Sequence, residues 1–262
     1  MMKNNRSQIT KKIVSECLEN SAIKNDLLFI SLLGSSQTNE AIEGYSDLDI
    51  LLVLKSNESG AIKESTLLEL KKLSEEVSRD GNIEVSLLTH TIFDFEEYVD
   101  FNYLIHYSWG EVLYGSDEEY KKLFDVIVRK KYSEKHRKEL TYYNLIHARF
   151  NLVRQYVSWN KFNKEKYTQA ILKLIIDKIV EICDWALVYR GIFRKTKREV
   201  LEDFNKNFRI EKYNHIPNQA IAIRANWGSY NFTEEELYKF IDESILFVQE
   251  LIRIIYEEHT KN

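Results

Sequence analysis

Proline is nearly missing from this chain, with Pro217 its single instance, and glycine is scarce, with 8 among 262 residues. A sequence so poor in turn formers cannot be mostly short strands joined by tight turns. Cysteine occurs twice, as Cys17 and Cys183. Two thiols are too few for a disulfide framework and lack metal-ligand spacing, so both are expected to be reduced and structural. No apolar run approaches the length of a spanning helix, and the first residues, MMKNNRSQITKK, contain no apolar stretch of the kind a secretory signal needs. A cytoplasmic protein with no membrane partner is expected. A surplus of positive charge is also missing: the formal net charge is −4, which argues against a general nucleic-acid binder. What is present, 44% hydrophobic and 30% charged residues, describes a globular chain long enough for one large or two modest domains.

One local exception to the charge balance is RKKYSEKHRKE, where Arg129, Lys130, Lys131, Lys135, Arg137 and Lys138 crowd together. Such a run is ordinarily a solvated helix start, and its functional reading is a positive rim that attracts a triphosphate.

The most informative stretch is ISLLGSSQTNEAIEGYSDLDILLVL, residues 30 to 54. A Gly-Ser turn, Gly34 and Ser35, follows one apolar segment, and Asp47 and Asp49 open the next. Residues two apart in a strand point to the same face, so both carboxylates project from one side while Leu48 and Ile50 enter the core. Paired hard oxygen ligands suit a Mg²⁺ ion that takes its remaining ligands from phosphate and water. Gly34, without a side chain, lets backbone and Ser35 approach phosphate oxygens. Further on, Ile83, Val85 and Leu87 alternate with Glu84 and Ser86, which places Glu84 on the polar side of a strand.

Apolar periodicity predicts a helix within 6–24, strands at 27–33 and 48–54, a helix over 61–79, a strand over 82–88, a helical piece near 92–100 and a short strand around 112–114. Beyond residue 125 the pattern is helical only, with stripes over 133–159, 165–190, 196–206 and 233–258. The expected architecture is α+β: a small mixed sheet with flanking helices over 1–125, then an all-α bundle over 126–262. No Gly/Ser linker separates the halves, so a substrate cleft between them is expected.

The Gly-Ser followed by Asp-x-Asp in a hydrophobic strand, with a later strand carboxylate at Glu84, resembles the signature of the nucleotidyltransferase superfamily. The second half looks like the helical domain of aminoglycoside nucleotidyltransferases that adenylylate streptomycin and spectinomycin. The segments that carry this likeness are ALVYRGIFRKTKREVLEDF at 186–204 and IPNQAIAIRANWG at 216–228. The resemblance implies ATP as donor, Mg²⁺ on Asp47, Asp49 and Glu84, a small-molecule hydroxyl acceptor, and pyrophosphate release from a monomer or homodimer. It gives Glu84 either a ligand role or that of general base. It implies that Lys197, joined by free N–H groups of the helix beginning there, meets the triphosphate, and that Trp227 stacks on adenine. Some related enzymes place an arginine four residues after the Gly-Ser start, where this chain has Thr38, so phosphate charge has to be met elsewhere. Asp177, Glu181 and Asp184 lie on one helical face, which reads either as a solvated stripe or as an attraction for a polycationic aminoglycoside. An alternative is modification of a protein or tRNA, as in toxin–antitoxin systems. Helical bundles that act there as ribonucleases carry Arg and His at about the spacing of Arg209 and His215, although the intervening residues look like a loop.

Overall fold

The computed structural model describes residues 2–55, 60–81, 83–131, 133–158, 164–230 and 232–260. They divide into two compact units, Met1–Tyr132 and Ser133–Asn262. The first runs α1 (Met2–Glu19), α2 (Ser21–Lys24), β1 (Leu27–Leu32), α3 (Gly34–Gln37), β2 (Leu48–Leu54), α4 (Glu64–Gly81), β3 (Val85–Thr91), α5 (Ile92–Glu97), α6 (Phe101–Ser108), β4 (Glu111–Tyr114) and α7 (Asp117–Lys131). The second runs α8 (Glu134–Ser158), α9 (Lys164–Tyr189), α10 (Lys197–Asn207), α11 (His215–Ala225) and α12 (Glu234–Thr260).

The sheet order is β3-β2-β1-β4. β1 pairs antiparallel with β2 and β4, whereas β2 and β3 are parallel and are joined through α4, since a parallel pair needs a crossover. β2 reads LDILLVL because helices cover both of its faces. Ile50, Leu52 and Leu54 pack with Ile9 and Ile13 of α1 and with Leu70, Leu73 and Val77 of α4. Leu51 and Val53 pack the other way, with Phe95 of α5, Leu104 of α6, and Tyr120 and Phe124 of α7. Each such side chain stabilises the fold by roughly 1.5–3 kcal/mol on burial. Asp49 alone breaks the apolar run, and nothing in packing asks for it.

The third strand begins at Val85, later than the predicted 82, and runs to Thr91. Its polar tail, Thr89 and His90, is compatible with an edge position that is only partly covered. Thr91 then stops the strand by capping α5: its hydroxyl accepts from Asp94 N–H while the Asp94 carboxylate accepts from Thr91 N–H at 2.7 Å. α7 carries Tyr120, Phe124 and Ile127 into the same core, which takes the first unit past residue 125 to Tyr132. Ser31 of β1 donates to the Tyr120 hydroxyl at 3.0 Å, and Tyr120 in turn donates to the Tyr107 carbonyl, so this buried polar chain is satisfied.

In the second unit α9 is the central helix. Ile176, Ile179, Ile182, Cys183, Ala186 and Leu187 are all fully buried, and α8, α10, α11 and α12 pack on it. Arg137, predicted to belong to an exposed basic run, is instead buried and donates to the Val188 and Tyr189 carbonyls at the last turn of α9. A guanidinium there meets carbonyls that have no helical partner and the negative end of the helix dipole. Its neighbours are also engaged: Lys138 pairs with Glu134 at 3.0 Å, and Lys131 donates to the Val99 carbonyl at 3.2 Å. Arg137 is therefore no part of an open positive rim, whereas Arg129, Lys130 and Lys135 are exposed. α11 was not expected as a helix. Pro217 is its third residue, where an N–H has no partner to lose, so the proline that reads as a breaker sits in a first turn. Cys17 and Cys183 are buried, one in each unit, and burial pushes the Cys17 thiol up to about 12 and raises that of Cys183 as well. Among the described residues no helix is long and apolar enough to cross a membrane.

Candidate functional site

β1 ends and β2 and β3 begin at the same edge of the sheet, and the polar residues of interest gather there. Leu33 N–H donates to the Asp49 carbonyl at 3.0 Å, and Leu48 N–H to the Glu84 carbonyl at 2.9 Å. Leu48 is opposite Val85 and Asp49 opposite Ser86 in the register. With period two, Asp49 shares its face with Leu51 and Val53 at the rim of the α5–α7 side, and Asp47 stands two residues before it, just outside the strand. Both aspartates are half-buried and Glu84 is exposed. Glu84 lies just before β3 rather than within it, held there by its own carbonyl.

Gly34 has φ +61°, a left-handed conformation. A Cβ built there would stand 2.9 Å from Asp49 Oδ2. Glycine is thus required twice, by the backbone and by the carboxylate it faces. The same turn continues into α3, where the Ser35 carbonyl accepts from Glu40 N–H at 2.9 Å and Thr38 N–H donates to the Gly34 carbonyl at 3.2 Å. Thr38, at the position where an arginine was looked for, only folds its hydroxyl back on this turn. Gly34→Ala is expected to lose about 1–2 kcal/mol of stability through the left-handed backbone. It should lose far more function, on the order of 10²-fold, because the Asp49 carboxylate must move aside. Thermal unfolding and turnover measured side by side check this, and unimpaired turnover would contradict it.

The positive charge comes from a residue that no sequence pattern marked. Arg6 of α1 donates to Ser36 Oγ at 2.7 Å, to the Asp47 carbonyl at 2.8 Å and to the Ser46 carbonyl. Its pKa is lowered, mainly by burial, with the charges of Asp47 and Asp49 pulling the other way. On the other side of the turn, Gln37 donates to the Trp109 carbonyl. The Tyr107 hydroxyl is pushed up to about 12, chiefly by burial and then by Tyr103 and Asp49, so it stays protonated beside the carboxylates.

The donor set consists of hard carboxylate oxygens at the start of β2, with Asp47 just before the strand, Asp49 within it and Gly34 leaving room at Asp49. It fits an ion such as Mg²⁺ with few protein ligands. Among the described residues no three His, Cys, Asp or Glu side chains converge as a metal cage. Asp47 and Asp49 are the pair that can hold such an ion. Glu84 is not gathered with them into a third ligand.

In the second unit Lys197 is the first residue of α10, and its ammonium lies 3.2 Å from Asp177 Oδ1. The N–H groups expected to be free at this helix start are partly claimed by a capping box. Thr196 Oγ1 accepts from Glu199 N–H, and the Glu199 carboxylate accepts from the N–H groups of Lys195 and Thr196. That carboxylate brings negative charge where an anion was expected. Nor do Asp177, Glu181 and Asp184 form one open acidic face: Asp177 pairs with Lys197, Glu181 with Lys178, and Asp184 is buried. Trp227 is half-buried in the turn after α11, its N–H donating to the Arg224 carbonyl at 3.3 Å, so it does not fill the core. His215 opens α11 and meets Glu243 at 2.9 Å, while Arg209 precedes the 3₁₀ turn Glu211–Tyr213.

Comparison with known proteins accords with this geometry. Residues 11–109 match the family model of the nucleotidyltransferase domain. No curated protein matches the chain significantly in sequence. The crystal structure of spectinomycin adenyltransferase AAD(9) from Enterococcus faecialis with ATP and spectinomycin is similar in fold, with a TM-score of 0.58 at 12% sequence identity. The similarity covers 94% of this chain and 99% of that one. At that identity the likeness is one of fold.

Proposed function

We propose that this nucleotidyltransferase transfers AMP from ATP to a hydroxyl of a small-molecule acceptor, an aminoglycoside-like antibiotic, with release of pyrophosphate. The observation that carries the reading is the Asp47–Asp49 pair at the sheet edge, with Gly34 opened against Asp49 by the absence of a Cβ. Asp47 and Asp49 hold Mg²⁺, which when bound neutralises charge on the phosphoryl oxygens. Gly34 and Ser35 face the phosphates. Glu84 takes the proton of the attacking hydroxyl, a role that its exposed side chain permits and that needs no place among the metal ligands. The fold similarity to an adenyltransferase crystallised with ATP and spectinomycin supports the choice of donor and acceptor class. Phosphoryl chemistry of this kind asks for alignment and charge neutralisation more than covalent work.

Lys197 and Trp227 are assigned to the nucleotide, Lys197 to the triphosphate and Trp227 to adenine. Lys197→Ala is then expected to weaken ATP binding while sparing AMP, because charge-assisted contacts contribute roughly 1.5–3 kcal/mol and AMP lacks the phosphates concerned. Trp227→Ala weakens both alike. Equal effects of Lys197→Ala on ATP and AMP in calorimetry would return this lysine to its pairing with Asp177.

The assignment as a whole is tested by incubating the protein with ATP labelled at the α-phosphate, Mg²⁺ and separate panels of aminoglycosides, lincosamides, tRNA and cell protein. Label on an aminoglycoside supports the reading. Label on tRNA or protein alone replaces it with macromolecular modification.

A further inference from the structure

We propose that Arg6 is a positioning residue of the nucleotidyl-transfer site: it locks the Gly34–Gln37 turn to the start of β2, so that the phosphate-facing turn and the metal-holding aspartates form one rigid unit. The proposal rests on the function assigned above.

The segment between Gln37 and Leu48 has no strand or long helix of its own. Its conformation is held by side chains: Tyr45 is buried, and the Ser46 hydroxyl accepts from Ile42 N–H at 3.0 Å. Arg6 joins its two ends. One guanidinium nitrogen reaches both Ser36 Oγ and the Asp47 carbonyl, and a second reaches the Ser46 carbonyl. These partners are 30 to 41 residues away in sequence. These bonds go to a hydroxyl and to main-chain carbonyls, so Arg6 fixes the chain that bears the two carboxylates. A planar fork with several donors suits this bridging, and a lysine ammonium matches it only in part. Gln37 pins the far side of the turn to the Trp109 carbonyl. The charge of Arg6 also lies close enough to offset the two carboxylates.

A residue that acted only through charge would give the opposite sign in metal binding from one that acts through position. Removing a cation from beside two carboxylates strengthens their hold on Mg²⁺, whereas releasing the turn weakens it.

The experiment uses the full chain with Arg6→Ala and Arg6→Lys and three readouts: amide hydrogen exchange, Mg²⁺-dependent binding of a non-hydrolysable ATP analogue, and transfer. In Arg6→Ala, exchange is expected to accelerate within 34–47 and to stay unchanged in α4 and β3. Binding of the Mg²⁺–analogue complex should weaken, and turnover should fall about 10- to 100-fold, the scale of an ångström-sized misplacement. Arg6→Lys should recover part of each. Unchanged exchange in 34–47, or metal-dependent binding that tightens, overturns the positioning role. So does a loss of turnover no greater than the loss of folded protein in thermal unfolding. If exchange responds as expected but the wild-type chain binds no analogue, the lock stands and the assigned function fails.

Discussion

Asp47→Asn and Asp49→Asn are each expected to abolish nucleotidyl transfer while leaving the fold in place. Either change removes a negative oxygen from a half-buried rim position and opens no cavity, so thermal unfolding should hardly shift. The cost falls on the transition state. Loss of about 10³-fold or more in turnover corresponds to about 4 kcal/mol, a magnitude expected when an ion that neutralises phosphoryl charge loses one of two protein ligands. Asp47→Asn keeps its main-chain carbonyl and with it the bond from Arg6, so its effect isolates the carboxylate. Transfer above about a tenth of wild type in both variants would remove the metal role from this pair.

Glu84→Gln separates base from ligand. As a base, Glu84 is needed only when the acceptor hydroxyl gives up its proton. Turnover should slow by about 10²- to 10⁴-fold while ATP·Mg²⁺ binds with near-normal affinity. The exposure of Glu84 and the absence, among the described residues, of a three-membered ligand cluster both favour that split. If calorimetry shows binding collapsing together with turnover, Glu84 is a ligand after all.

The sequence made the sheet legible where one residue's environment is set by local period. β2 announced itself by an apolar run with two aspartates at one end; Asp49 lies within the strand opposite Ser86, and Asp47 stands just before it. The second half was legible as helices for the same reason: stripes at three- and four-residue spacing, which in α9 widen until residues 182–189 are all buried. What escaped was tertiary or positional. α11 escaped because the periodic signal of so short a helix is weak and Pro217, a residue that interrupts helix interiors, stands in its first turn. Arg137 read as part of a solvated run and Arg6 drew no reading, since an arginine's partner is decided by what folds against it and carries no mark in sequence. The free N–H groups supposed at Lys197 were hidden by a local rule that was there to be read: Thr196 and Glu199 are spaced as a capping box.

The two thiols give the molecule a pair of internal clocks. Cys17 lies in the core of the first unit and Cys183 in that of the second, each shut away from solvent and held as the unreactive thiol by burial. A thiol-specific reagent reaches either one only when its own surroundings open. The rate at which each cysteine is modified under native conditions therefore times the opening of one unit independently of the other. Protection of Cys17 alone, or of both, when nucleotide is added reports which cores a ligand steadies.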